Sequence, residues 1–349
     1  MKKVFALVMV LALAMSCVAA SAAVWPNGSP TVYVGYGAGG GTDTAVRPVI
    51  AEMEKIMGEK ILVTNLPGAN SSIACDQVLA SAHDGYSMFA TGTGGFGSFA
   101  VNEYSTSTWV DWISFHPYTG CAAIITTPSS SLNNIDDVKE YLSNPSNSVA
   151  IGALGNGPHT QLTVILGALG YEAPNYALFG SCADAAVAVL AGEAPLGVVS
   201  MSAAIDFLNK GDLQAIAVTS PEPFTFATGE TAESITTLVE GTENVPMLLE
   251  TWPIMIPRDT PAEIVEAFTA AFNEAMESET IKEFADSMAY TIVAYTGEDA
   301  DRFLAYAISG YSWAIYGSDN SKKNPADLGI PTTEEFNWDE VKLQCKDYQ

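Results

Sequence analysis

Five glycines fall within seven positions, Gly35, Gly37, Gly39, Gly40 and Gly41, and Thr42 and Asp43 follow at once. Residues without a side chain let the backbone turn tightly and let a ligand approach main-chain amides. Val32 and Val34, interleaved with Thr31 and Tyr33, read as a β-strand entering this loop, and Thr42 or Asp43 reads as the start of the helix leaving it. The first four N–H groups of a helix lack partners within it and carry the positive end of its dipole. The loop therefore offers anion binding without a charged side chain.

Three readings of the loop compete. Gly35, Gly37 and Gly40 match G-x-G-x-x-G of a dinucleotide site, with Glu54 or Glu59 as the acid about 20 positions on. A P-loop is excluded, because it requires a lysine and none lies between Lys3 and Lys55. The third reading is a structural turn, which needs glycine for backbone reasons alone.

The elements that must position the loop repeat its pattern. A helix over Ala45–Met57 places Val46, Val49, Ile50 and Met53 on one face, and Pro48 should bend it or delay its start. The strand Lys60–Asn65 runs into Pro67-Gly68-Ala69-Asn70 and a helix from Ser72 to about Ala82; the strand Ser87–Thr91 runs into a third glycine-rich loop, Gly92–Gly97. Strands that each end in a small-residue loop before a helix describe a doubly wound parallel sheet, whose ligands sit outside the carboxyl ends of the strands. Trp109–Thr119 reads as aromatic and irregular, and Gly120–Thr127 as a strand.

From Ile135 the alternation restarts, with loops Gly155–Pro158 and Gly180–Cys182 each ahead of a helix, and ends on the strand Leu213–Thr219. A second α/β domain over 123–220 is thus inserted in a first made of 24–122 and 221–349. The two crossings are expected near Thr119–Thr127 and Gly211–Ser220. Pro221–Met247 reads as a loop. Thr260-Pro261-Ala262-Glu263 reads as a helix start with Thr260 capping and Glu263 completing a capping box. The tail from Ser318 is charged, with Lys322 and Lys323 facing solvent.

Composition narrows the function. Lys2 and Lys3, an apolar run from Val4 to Met15 and the small residues Ala20–Ala23 form a signal peptide over 1–23, so the protein is expected to be exported. Cys17 leaves a lipid anchor open. Without Lys2 and Lys3 the balance is 12 basic against 40 acidic residues, a charge of −28, which excludes nucleic-acid partners. Cys75, Cys121, Cys182 and Cys345 allow disulfides or free thiols. With no C-x-x-C, no H-E-x-x-H around His83, His116 or His159, and no G-x-S-x-G, no catalytic residue, metal or cofactor is expected.

These pieces line up with a family. Gly37-Ala38-Gly39-Gly40-Gly41-Thr42-Asp43 with Ala45 and Arg47, then Asn65-Leu66-Pro67-Gly68-Ala69, Asp84-Gly85-Tyr86, Leu190-Ala191-Gly192, Ala215–Ser220 and Trp252 through Thr260-Pro261 occur in order along nearly the whole mature chain. The chain resembles the periplasmic solute-binding proteins of tripartite tricarboxylate transporters, the TctC-like or Bug proteins. The resemblance implies a type II periplasmic-binding-protein fold, two doubly wound α/β domains joined by two crossover segments and closing over a small organic carboxylate. It implies ligand contacts at Ala38, Gly39, Gly40, Thr42 and Asp43, at Gly68, Ala69 and Asn70, and at Gly157, His159, Ser181 and Asp184 of the second domain. The implied partners are the membrane components of the transporter, with the receptor a monomer.

Several residues depart from the family pattern. Pro158 stands where a serine is common, Asn70-Ser71 replace Gly-Gly, Phe179 replaces a basic residue, and no arginine follows Val218-Thr219-Ser220. These changes favour a monocarboxylate, or an acid with an apolar or aromatic body, over citrate. Individual residues keep a second reading: Asp43 as a helix cap, Arg47 as a carboxylate ligand or an acid's partner, His159 as a ligand or a solvated helix end, and Trp109, Trp112, Phe115 and His116 as a cleft wall or hinge packing. The alternatives to a transport receptor are a ligand sensor for a membrane signalling protein and an exported hydrolase using Asp43 or His159.

Overall fold

The computed structural model describes residues 25–242, 250–317 and 321–349. The signal peptide expected over 1–23, with Cys17, lies outside the described residues. Two mixed sheets, each covered by helices, form two α/β layers. In the first sheet the parallel strands Leu62–Asn65, Thr31–Val34 and Ser87–Ala90 lie side by side, followed by Ile254–Pro257 and Trp112–Gly120. The second has the order Asn175–Leu178, Ser148–Ile151, Leu196–Ser200, Ala122–Thr126, Gln214–Val218. Neither sheet is purely parallel: Ile254–Pro257 and Ala122–Thr126 run antiparallel to both neighbours, because these are the strands by which the chain enters or re-enters a domain.

The segment read as irregular, Trp109–Thr119, contains the longest strand of the first sheet, the nine residues Trp112–Gly120. Burial on both faces removes the alternation that marks a strand in sequence. Phe115 meets Phe268 and Phe272 at tilted angles on one side, and Trp112 meets Phe89 on the other. Pro117 falls between the run paired with Ile254–Pro257 and the run paired with Glu250–Thr251, where it breaks no ladder pair of either. His116 is fully buried between Thr251 and Ser114 hydroxyls, and burial pushes its pKa down to about 3. It packs in the interior beside the Glu250–Thr251 strand rather than on a cleft wall.

The helix after the glycine loop spans Gly41–Met57 without interruption, so Pro48 neither delays its start nor ends it. Its apolar face, Val46, Val49, Ile50 and Met53, is buried against the Ala262–Met276 helix and holds it through the missing N–H. The capping box at Thr260 does not form. Pro261 is the N-cap, with no side-chain cap bond, and among the described residues the Thr260 hydroxyl is buried without a partner. All four described cysteines are free and buried.

Two crossing points differ in how legible they are. The chain passes from the first sheet to the second at Cys121, between strands Trp112–Gly120 and Ala122–Thr126, within the expected segment. The return does not occur at Gly211–Ser220, which carries the edge strand of the second sheet, Gln214–Val218. Residues 221–242 stay on that sheet: Phe224–Thr225 pairs with Thr231–Ala232, and Phe226, Ala232, Ile235 and Val239 complete its apolar layers. The assignment of 221–242 to the first domain is thereby corrected. A polar, turn-rich sequence concealed four inward apolar side chains. The chain rejoins the first sheet at Glu250–Thr251, which pairs with Gly120 and Thr119, so both crossings run side by side.

Candidate ligand-binding site

Four helices of both domains aim their N-termini at one point. Their N-cap residues are Gly40 (helix Gly41–Met57), Asn156 (Gly157–Leu169), Ser181 (Cys182–Leu190) and Ser200 (Met201–Lys210). All four line one cavity of about 30 Å³, together with Tyr36, Gly41, Thr42, Glu250 and Trp252. That is room for about one water molecule, so the cleft is shut. A larger cavity of about 740 Å³, under the C-terminal tail, shares no residue with it.

Local chemistry explains each terminus. Gly40 has no side chain to cap its helix, and among the described residues the amides of Gly41, Thr42 and Asp43 donate no hydrogen bond. They are the bare donors expected of an anion site. Asn156 Oδ1 accepts from His159 N–H, and Ser181 Oγ accepts from Asp184 N–H. Positive potential in this acidic protein thus comes from helix ends, while among the described residues the cation beside the loop is turned away. Arg47 donates to Asp43 and Asn65.

Of the residues expected to touch ligand, the structure brings Gly40, Thr42 and Ser181 to the cavity wall. Gly157 lies just behind it, with its Cα packed toward Glu250. Ala38 and Gly39 are exposed on the outer limb of the loop. Asp43 is committed to holding that limb: Oδ2 accepts from Gly39 N–H, and Oδ1 accepts from Arg47 Nε and Asn65 Nδ2, each at 2.9 Å. Asp184 is exposed and bonded to Ser181. His159 is 1% exposed. Its Nδ1 accepts from Gly155 N–H, its ring meets Tyr176, and burial lowers its pKa to about 4, so it is a neutral brace for the loop.

The loop Gly68–Ser71 is a strut. Ala69, Asn70 and Ser71 all take positive φ, at 43°, 53° and 80°. Such strain persists only where surroundings enforce it. Tyr36 OH donates to Asn70 Oδ1, Asn70 Nδ2 donates to Ser98, and Ser71 and Thr91 share a hydroxyl bond. The loop shapes the cleft by fixing Tyr36.

Residues that sequence reasoning missed are Tyr36, Ser200, Glu250 and Trp252. Tyr36 was legible from its place inside the glycine run, and Ser200 from its position between a strand and a helix. Glu250 carried no signal beyond an acid ahead of an apolar strand.

Asp43 supplies the first expected outcome. Asp43→Ala removes the acceptor shared by the Gly39 amide, Asn65 Nδ2 and Arg47 Nε, at a cost of about 2–3 kcal/mol. Burial would raise the Asp43 pKa, but hydrogen bonds from Arg47, Gly39 and Asn65 outweigh it, and the net direction is down. A lowered folded pKa gives stability that is full above the unfolded carboxylate value near 4 and fades as pH falls through the folded one. Urea unfolding at neutral and acid pH should show the two proteins converging in acid. A constant gap would refute the assignment.

A model of the "Tripartite tricarboxylate transporter family receptor" matches residues 45–311. BugT of Bordetella pertussis is 23% identical over 305 residues, covering 84% of this chain and 90% of that protein. Among solved structures, the periplasmic binding protein BugD superposes with a TM-score of 0.78 at 19% identity, over 86% of this chain and all of that one. MatC from Rhodopseudomonas palustris, with bound malate, superposes with a TM-score of 0.74 at 18% identity, over 83% of this chain and 100% of that one. The two-domain α/β architecture is that of periplasmic binding proteins. With the family model spanning most of the length, the chain belongs to the tripartite tricarboxylate transporter family of receptors.

Proposed function

We propose that this chain is an extracytoplasmic receptor that closes over a small organic carboxylate and delivers it, as a monomer, to the membrane components of a tripartite tricarboxylate-type transporter. The observation that carries the reading is the convergence of four helix N-termini on one interdomain cavity. Bare amides of Gly41 and Thr42 would take the carboxylate, Ser181 and Asn156 would close on it from the second domain, and Trp252 and Tyr36 would wall its body. The malate in MatC supports the ligand class. Family membership supports a receptor rather than an enzyme. Export by the segment 1–23 completes the proposal; among the described residues no helix is long and apolar enough to cross a membrane.

The cavity must open for entry, and the paired crossings at Cys121 and ahead of Glu250 are where hinge rotation would concentrate. The test is thermal unfolding against mono-, di- and tricarboxylates, amino acids and aromatic acids. A ligand at 100 times its Kd stabilises by about 2.7 kcal/mol, a midpoint shift of roughly 5–10 °C for domains of this size. No shift from any acid, with protein unfolded and refolded to strip resident ligand, would sink the receptor reading.

A further inference from the structure

The floor of the cleft holds a carboxylate that anion binding does not use. Glu250 is 6% exposed, and its one hydrogen bond among the described residues comes from the Ser200 hydroxyl, 2.7 Å from Oε2. It sits against the start of the Gly157–Leu169 helix, so closely that a methyl group on Gly157 would lie 2.8 Å from its Cδ. It lines the same cavity as Gly40, Gly41 and Thr42.

Among the described residues, nothing around it supplies a cation. Arg47, beside the glycine loop, is bonded to Asp43 and Asn65. The titratable groups that feel its charge are Tyr36 on the first loop, Cys121 at the crossing, Cys182 at a helix N-terminus, Tyr290, and Tyr311 on the Gly297–Gly317 helix. Burial, with a smaller contribution from Glu250 itself, keeps every one of them protonated and neutral. Burial also pushes the pKa of Glu250 up to about 7.

A buried carboxylate is costly unless positive or hydrogen-bond-donating partners satisfy both of its oxygens, and the Ser200 hydroxyl meets Oε2 alone. A second carboxylate in the same closed space makes the cost worse, since like charges disfavour one another's ionisation. A ligand with an anionic group only would satisfy the helix ends and leave Glu250 facing a negative charge. A ligand with a carboxylate and an N–H donor would satisfy both.

Resting on the receptor reading above, we propose that the cleft selects a small acid that also carries an ammonium or amide N–H group, its carboxylate at the Gly41 and Thr42 amides and its nitrogen at Glu250. Glu250 is thereby the specificity determinant of the site, and its place at the return crossing lets the ligand's nitrogen bridge cleft and hinge.

Matched pairs of acids differing only in nitrogen test this on the wild-type protein: L-aspartate with succinate, L-glutamate with glutarate, and L-alanine with propionate. Titration calorimetry on refolded, ligand-free protein at about pH 8 keeps Glu250 ionised. The nitrogen-bearing member of at least one pair should bind about tenfold tighter or more, and Glu250→Gln should erase that preference. Glu250→Asp, which keeps the charge, should retain part of it and covers the case in which the glutamine variant fails to fold. Equal or tighter binding of the nitrogen-free acids overturns the proposal. So does succinate binding that takes up a proton and strengthens from pH 8 to pH 6, because Glu250 would then be a protonated donor to a second carboxylate. Silence from both members of every pair, and from the wider panel, instead overturns the receptor reading beneath it.

Discussion

Gly94→Ala will leave the protein folded and unable to close. Gly94 lies in the short helix Thr93–Gly97 of the first domain and faces the first turn of the Gly157–Leu169 helix of the second. A methyl group there would stand 2.5 Å from Gly157 N, 2.7 Å from Gly157 Cα and 3.0 Å from Tyr311 Cε1. The first two are backbone atoms of another domain, so no side chain can rotate away and the domains themselves must separate. Overpacking of this kind costs about 1–3 kcal/mol. The larger effect falls on binding, since Gly157 packs directly on Glu250 and every wall of the cavity belongs to one domain or the other.

The ligand-induced midpoint shift should be lost, and small-angle scattering should report a larger radius of gyration than wild type in the presence of ligand. Gly167→Ala is the matched control. It lies in the Gly157–Leu169 helix that Gly94 faces, is exposed, and has nothing within 4 Å of the added methyl. Its expected effect is a gain of up to about 1 kcal/mol from helix propensity, with binding unchanged. A Gly94→Ala protein that retains the full ligand shift would show that the contact between these helices has no part in closure.

That contact marks the boundary of what sequence can reveal. The glycine loop, its flanking strand and helix, and the repeated strand-loop-helix order are visible because they depend on neighbours within a few residues: period, turn chemistry, bare helix ends. Asn156 and Ser181 are visible for the same reason, as cap-forming residues ahead of helices. Trp112–Gly120 is hidden because a strand covered on both faces has no alternation to read, and Pro117 argues against it until the break between its two pairing partners is known. Asp43 shows a subtler limit. Its type and place suited ligand contact, yet the Asn65 amide and Arg47 guanidinium fill its acceptors, and only the folded chain brings Asn65 beside it. Glu250 is the extreme case, since its meaning comes from Ser200 and Gly157, 50 and 93 positions away (250 minus 200; 250 minus 157). The local pattern announces an anion site, and the tertiary contacts decide what else the anion must carry.

The strand that leaves the cleft floor ends on a buried, two-pronged ion pair, and removing its cation should cost more stability than the Asp43 or Gly94 substitution. Ile254–Pro257 begins just after Trp252 and delivers Arg258 to the opposite end of the sheet. There Arg258 grips Asp301 with both arms, Nη1 to Oδ2 at 2.8 Å and Nη2 to Oδ1 at 2.9 Å, with side-chain exposures of 8% and 3%. Nη2 also donates to the Trp109 carbonyl, and Tyr348 OH donates to Asp301 from the C-terminal tail. Arg258→Ala strands a buried carboxylate, and breaking such a pair costs about 3–5 kcal/mol, most of it the uncompensated charge. Adding Asp301→Ala should therefore restore part of the loss, although it deletes more contacts. Arg258→Lys would keep the charge but lose the fork, and should fall between wild type and alanine. Urea unfolding of the four proteins reads these differences directly. A double variant less stable than Arg258→Ala alone would mean that packing around the pair, rather than its charge balance, carries the stability. In either case the preference among ligands should not move, because Arg258 acts on the sheet end away from Glu250 and Trp252.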